Sequence, residues 1–222
     1  MESRIDNYDI KNLISRIFSA ILFIPFIIIP IVLKGYALYL FYIFLLSLMV
    51  FEIMEMIKIS KKRTYLLYLY LLMCILTLFT FVLSILSSSN VSTKVIEIII
   101  IVWLFDTFCY LGGKVFNGKK LMPNISKGKT YNGLFSGIIT TLTIATFYYV
   151  EVYNDINMVP FLVIPIIILS FLGDLIVSVL KRSVNIKDSG NIMPGHGGIV
   201  DRMDSFVFVF FFFGIYSLIF AR

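Results

Sequence analysis

Seven stretches of mostly apolar residues, each near the length of a membrane span, run through this 222-residue chain and are separated by short charged segments. A helix needs about 20 apolar residues to cross the hydrocarbon core of a bilayer. The spacing predicts spans at 17–33, 36–57, 64–86, 95–111, 133–150, 158–180 and 203–221. With 59% of residues hydrophobic, a water-soluble domain is excluded. Phe (22) and Tyr (13) are abundant, which suits lipid-facing and interfacial positions. The expected fold is therefore all-α, a polytopic membrane helix bundle of about seven transmembrane helices. Pro25 and Pro30 predict a kink or tilt in the first span. The first 16 residues are polar and mixed in charge, and no small-residue cleavage site follows the first apolar run, so the first span is expected to stay in the membrane. Cys74 and Cys109 fall inside apolar runs, where buried small hydrophobes are expected rather than a disulfide.

The basic residues set the sidedness. With a cytoplasmic N-terminus, seven spans leave the N-terminal tail, 58–63, 112–130 and 181–202 inside. Those four segments hold sixteen of the nineteen Lys and Arg residues. Only Lys34, Lys94 and Arg222 fall outside. This bias predicts the orientation. For Lys61, Lys62 and Arg63, topology alone is reason enough. The segments 112–130 and 181–202 need more, because topology requires neither glycines nor acids.

Asp174, Ser178 and Lys181 are spaced i, i+4, i+7 and share a helix face, with Arg182 beside them. An ionisable residue inside a membrane span is a functional candidate by default, since burial in lipid is costly. The bland alternative is that Asp174 pairs with Lys181 or another neighbour. Lys187, Asp188 and Gly190 follow, then Pro194-Gly195-His196-Gly197-Gly198, which cannot be helix. Such glycines let backbone approach a phosphate closely. Asp201, Arg202 and Asp204 come next, at the expected start of the last helix. Hard carboxylate oxygens suit Mg²⁺, which bridges one or two acids and substrate phosphates. Capping the helix N-terminus would explain Asp204 almost as well. His196 is the only histidine, which argues against zinc. It fits a proton carrier, a phosphate donor or a loop-fixing hydrogen bond.

A second cluster comprises Asp106-Thr107, Gly113-Lys114 and Ser126-Lys127-Gly128-Lys129-Thr130. It lacks the spacing of a P-loop. Beside the first cluster, Ser126, Lys129 and Thr130 could grip a triphosphate.

The run Ser178-x-x-Lys181-Arg182, four residues, Lys187-Asp188-x-Gly190, then Pro194-Gly195-His196-Gly197-Gly198-x-x-Asp201-Arg202-x-Asp204-Ser205 resembles the signature of the phosphatidate cytidylyltransferases, or CDP-diacylglycerol synthases. Gly173-Asp174-Leu175, Asp106-Thr107, Gly113-Lys114 and Gly128-Lys129-Thr130 look like further family elements, and Glu52 resembles a glutamate that the family carries. The detailed resemblance covers roughly residues 100–205. Two features depart from the pattern. Lys127 stands where a proline usually follows the serine, and the chain is shorter than bacterial members commonly are.

The resemblance implies cytidylyl transfer from CTP to phosphatidate, giving CDP-diacylglycerol and pyrophosphate for phospholipid biosynthesis. It implies Asp174 and Asp201 as metal ligands for Mg²⁺, and leaves a second, monovalent cation open. Lys181, Arg182, Asp188, His196 and Asp204 would be catalytic. Ser126, Lys129, Thr130, Ser178, Lys187, Gly195, Gly197, Gly198 and Arg202 would bind substrate. It further implies a homodimer in a bacterial-type inner (plasma) membrane, with the site facing the cytoplasm and no nucleic-acid partner. One membrane domain is expected over 1–222, with 1–93 as scaffold helices and 94–222 carrying the chemistry. A CTP-using polyprenol or phytol kinase-like enzyme is the nearest rival, and the complete glycine–histidine run argues against it. The motif of the CDP-alcohol phosphotransferases is absent. An ion-coupled transporter would use Asp106 and Asp174 as ion sites, but no internal repeat supports one.

Overall fold

The computed structural model describes residues 27–33, 35–60, 64–87, 91–123, 125–190, 192 and 197–220. Residues 27–33 are helical, and residues 17–26 of the expected first span lie outside the described residues. Then come α1 (Gly35–Ile59), α2 (Thr64–Ser87), α3 (Val91–Phe116), a hairpin of β1 (Lys120–Met122) and β2 (Ser126–Thr130), and α4 (Tyr131–Tyr153). A π-helical turn (Val159–Val163) leads into α5 (Ile164–Ser183), and α6 (Val200–Phe220) follows. Six of these helical segments are long and apolar enough to cross a membrane. The result is an all-α polytopic bundle, with the small hairpin as an addition to the expected fold.

Large apolar side chains cover its outside. Leu40, Phe79, Phe147 and Phe161 are each at least 60% exposed. Such faces would drive aggregation in water and are ordinary against lipid tails. Inside, Tyr42 stacks on Phe81 with ring centroids 4.0 Å apart, and Phe210 lies 5.6 Å from Phe81. These rings join α1, α2 and α6.

Lipid gives helices little hydrophobic reason to associate, so close packing of small residues matters more. Between α3 and α4 the seam is glycine. A Cβ on Gly133 would fall 2.5 Å from the Cys109 carbonyl oxygen and 3.0 Å from the Gly113 Cα. One on Gly137 would fall 3.1 Å from the Phe105 carbonyl oxygen. The far end of the seam is polar. Buried Glu97 accepts hydrogen bonds from the hydroxyls of Tyr148, Tyr149 and Tyr153 and pairs with Lys94 at 3.0 Å.

The sequence pattern places helix ends at 111 and 180, yet α3 runs to Phe116 and α5 to Ser183. Backbone hydrogen bonds continue after the apolar run stops. Gly112 does not break α3, because it lies in the seam, where its missing Cβ makes room for Ser136. Thr130 ends β2 and caps α4 at once, its hydroxyl accepting from the Gly133 N–H at 3.1 Å.

Gly137→Val is expected to destabilise the detergent-solubilised protein by about 1–3 kcal/mol, through forced separation of α3 and α4. Gly128→Ala adds a Cβ with nothing within 4 Å and is expected to stay within about 0.5 kcal/mol. Thermal unfolding of the two variants beside wild type checks this.

Candidate active site

The first turn of α6 lies beside the middle of α5, below its C-terminal end. A Cβ on Gly173 would fall 2.5 Å from the Asp204 carbonyl oxygen and 3.3 Å from the Ser205 Cα, so the two backbones touch there. At 1.5 Å per residue, α5 therefore projects roughly 8 Å beyond the start of α6. The middle of α5, α3 and the hairpin wall a recess whose floor is the first turn of α6.

A cavity of about 400 Å³ occupies this recess, within the size range of small-molecule sites. Asp106 from α3, Asp174 from α5, and Asp201 and Asp204 from α6 line it, with Ser126, Lys129 and Thr130 from the hairpin. Phe105, Leu134 and Phe171 form an apolar wall.

Two lysines hold two of the acids. Lys129 Nζ lies 2.5 Å from Asp174 Oδ2 and 5.4 Å from the centre of the Phe171 ring. Ser178 Oγ donates to Asp174 Oδ1 at 3.4 Å. Lys181 Nζ lies 2.5 Å from Asp201 Oδ1. Asp201 Oδ2 accepts from the backbone N–H groups of Ser189, at 2.8 Å, and Gly198, at 3.0 Å. Among the described residues Asp106 and Asp204 have no salt bridge. Four carboxyl groups thus face the cavity against two ammonium groups, a balance that favours binding a cation. No group of three or more metal-ligating side chains is found among the described residues. Hard oxygens present one or two at a time fit a magnesium ion whose remaining ligands come from phosphates and water.

The structure brings together Asp174, Asp201, Asp204, Ser126, Lys129 and Thr130 around one cavity, with Ser178 and Lys181 directly behind. Asp174 pairs with Lys129, 45 residues away in sequence, and Lys181 with Asp201. Arg182 is exposed and donates to the Ile125 carbonyl (Nε, 3.2 Å) and the Ile186 carbonyl (Nη1, 2.8 Å). It fastens the hairpin turn to the end of α5. Lys187 and Asp188 are exposed and do not line the cavity. Arg202 is half-buried in the first turn of α6. Gly197 has φ of +83°, and a Cβ there would fall 2.6 Å from Asp201 Oδ2, so glycine is required. Gly198 packs against Ser189 Oγ and the Glu52 carboxylate. His196 and Gly195 lie outside the described residues.

Sequence reasoning noted two further acids as family elements without assigning them a part in the transfer. Asp106 faces the cavity, which an isolated acid in an apolar run signals without revealing its partners. Glu52 is 2% exposed. It accepts from the Ile199 N–H at 2.8 Å, the Val200 N–H at 2.9 Å and the Ser189 hydroxyl at 2.7 Å.

Fold and site together define an integral membrane helix bundle with an acid- and lysine-lined recess at one rim. Comparison with known proteins is specific about which bundle this is. The chain belongs to the cytidylyltransferase family, whose model matches residues 76–220. Over 128 residues it is 42% identical to a phosphatidate cytidylyltransferase of Rickettsia bellii, covering 52% of this chain and 55% of that protein. Over 119 residues it is 42% identical to a phosphatidate cytidylyltransferase of Bacillus subtilis, covering 53% of this chain and 44% of that protein. The match thus spans about half the length of these relatives.

The Lys181–Asp201 pair is buried, with side chains 13% and 8% exposed. Lys181→Met strands the carboxylate and is expected to cost about 3 kcal/mol of stability. The Lys58–Glu55 pair is open to solvent, with side chains 68% and 44% exposed. Lys58→Met is expected to cost less than about 1 kcal/mol. Thermal melts of the two variants make the comparison.

Proposed function

We propose that this chain transfers the cytidylyl group of CTP to phosphatidate, giving CDP-diacylglycerol and pyrophosphate. The observation that carries the reading is the mixed lining of one cavity: four carboxyl groups and a lysine-bearing hairpin together with aromatic and aliphatic side chains. A water-soluble nucleotide and a lipid headgroup need such a meeting place. Family membership and the names of the relatives point the same way.

An oxygen of the phosphatidate phosphate attacks the α-phosphorus of CTP. The bond from that phosphorus to the β-phosphate bridging oxygen breaks, and pyrophosphate leaves. Positioning and charge neutralisation dominate in such transfers. Lys129, Ser126 and Thr130 hold the triphosphate, and Lys181 and Ser178 hold the acids and the incoming phosphate in place. Arg182 keeps the hairpin over the recess. Asp174 and Asp201, with Asp106 and Asp204 beside them, would hold Mg²⁺, which supplies Lewis-acid stabilisation of phosphate charge when bound. In this arrangement Lys129 and Lys181 occupy Asp174 and Asp201. The acyl chains stay in the bilayer. The family resemblance supports a homodimer.

Incorporation of radiolabelled CTP into lipid, in detergent–phosphatidate micelles, tests the reaction. Wild-type protein is expected to label lipid only with Mg²⁺ present. Asp174→Asn and Asp201→Asn are each expected to lose more than about a hundredfold, near 2.7 kcal/mol of transition-state stabilisation. Folded wild-type protein that leaves phosphatidate unlabelled would defeat the proposal.

We assign the recess to the cytoplasmic side of a plasma membrane, because the two segments beside it, 112–130 and 181–202, hold nine of the nineteen Lys and Arg residues. In a background with Cys74 and Cys109 replaced by serine, Lys119→Cys is expected to resist a membrane-impermeant maleimide in intact cells. Asn154→Cys, at the opposite end of α4, is expected to react. The reverse pattern would overturn the orientation.

A further inference from the structure

Glu52 lies in α1, outside the segment that the family model matches. Its carboxylate is buried, and all its described partners belong to one stretch of chain. The Ser189 hydroxyl donates to Oε2 at 2.7 Å, the Val200 N–H to Oε2 at 2.9 Å and the Ile199 N–H to Oε1 at 2.8 Å. These partners are 137 to 148 residues away in sequence. The glycines of that stretch are fitted around the carboxylate. A Cβ on Gly190 would fall 2.7 Å from Glu52 Oε1, and one on Gly198 would overlap both carboxylate oxygens.

The same stretch also holds Asp201. Ser189 and Gly198 turn their N–H groups to Asp201 Oδ2, while the Ser189 side chain turns to Glu52. Ser189 therefore bridges the two acids, its backbone on one and its hydroxyl on the other. Ile199 and Val200, tied to Glu52, directly precede Asp201 in the chain. A carboxylate at an N-terminal helix turn is favoured by the free N–H groups and the dipole there. Glu52 does not line the cavity.

We propose that Glu52 is a positioning residue for the cytidylyl transfer: from α1 it clamps the turn that precedes α6, and so sets where the Asp201 carboxylate stands in the recess. This rests on the reaction proposed above. It gives the first described long helix a direct part in the site, beyond scaffolding.

The test uses the full chain in detergent–phosphatidate micelles. Glu52→Gln keeps the side-chain size but turns one acceptor into a donor facing backbone N–H groups. It is expected to lower kcat by about 10- to 100-fold, because small misplacements of a reacting group are that costly. The KM for phosphatidate is expected to stay within about twofold of wild type, since Glu52 is remote from the lipid path. A second readout needs neither substrate nor metal. Lys187 is exposed on the tethered stretch, and trypsin cleavage after it, in EDTA, is expected to quicken several-fold. Ser189→Ala removes one of the three hydrogen bonds and keeps the carboxylate, so it covers the case in which Glu52→Gln fails to fold. It is expected to show both changes at smaller size. Wild-type kcat and cleavage rates in both variants would overturn the inference, as would a kcat loss without faster cleavage. If wild-type protein were inactive on phosphatidate, the reaction would be wrong, while the cleavage contrast would still decide whether Glu52 holds the turn.

Discussion

The first turn of α6 starts within the bundle, where hydrocarbon offers no partner for free backbone N–H groups. Glu52 meets part of that demand, while Asp201 serves the chain just before the helix. Glu52 takes the N–H groups of Ile199 and Val200, and Asp201 takes those of Ser189 and Gly198. Each acid is in turn stabilised by the N–H groups it accepts from. The positions of the other site residues follow from this arrangement. With the start of α6 fixed, Asp204 meets α5 at Gly173, and Asp174 comes to line the same cavity from the next residue of α5.

Two of the four acids in the recess are matched by lysines from other elements. Asp174 is matched by a lysine from the hairpin, and Asp201 by a lysine one helix away. Arg182 spends its donors on the backbone of the hairpin turn and of the α5 exit, which ties the water-facing hairpin to the helix that carries Asp174. A guanidinium suits this work because its donors are fixed in a plane and it stays charged. The hairpin can therefore present Lys129 above the acids although its strands are only three and five residues long.

Most of the membrane architecture was legible in the sequence, because hydrocarbon makes apolar run length nearly equivalent to helix location. The helix ends were less so. At Gly112 and Lys181 the polarity changes while the backbone ladder continues, and composition reports only polarity. The hairpin escaped notice because Ser126-Lys127-Gly128-Lys129-Thr130 has no apolar alternation. Residue types in the site were readable from Asp174 to Asp204, but partnerships were not. Lys129 with Asp174, and Glu52 with Ile199 and Val200, join residues far apart in sequence, and nothing local encodes them. Arg182, expected among the catalytic residues, grips the carbonyl oxygens of Ile125 and Ile186 in this structure, partners that nothing in the motif encodes.

Glu52 sits in an early helix and its clamp partners in the stretch before the last one, and that separation affects biosynthesis. A nascent chain emerges and inserts in order, so the partners of Glu52 reach the translocon only after four further long helices have been made. Until α6 arrives, a bare carboxylate waits in the half-built bundle. The ribosome must deliver the start of α6 before the recess has its floor.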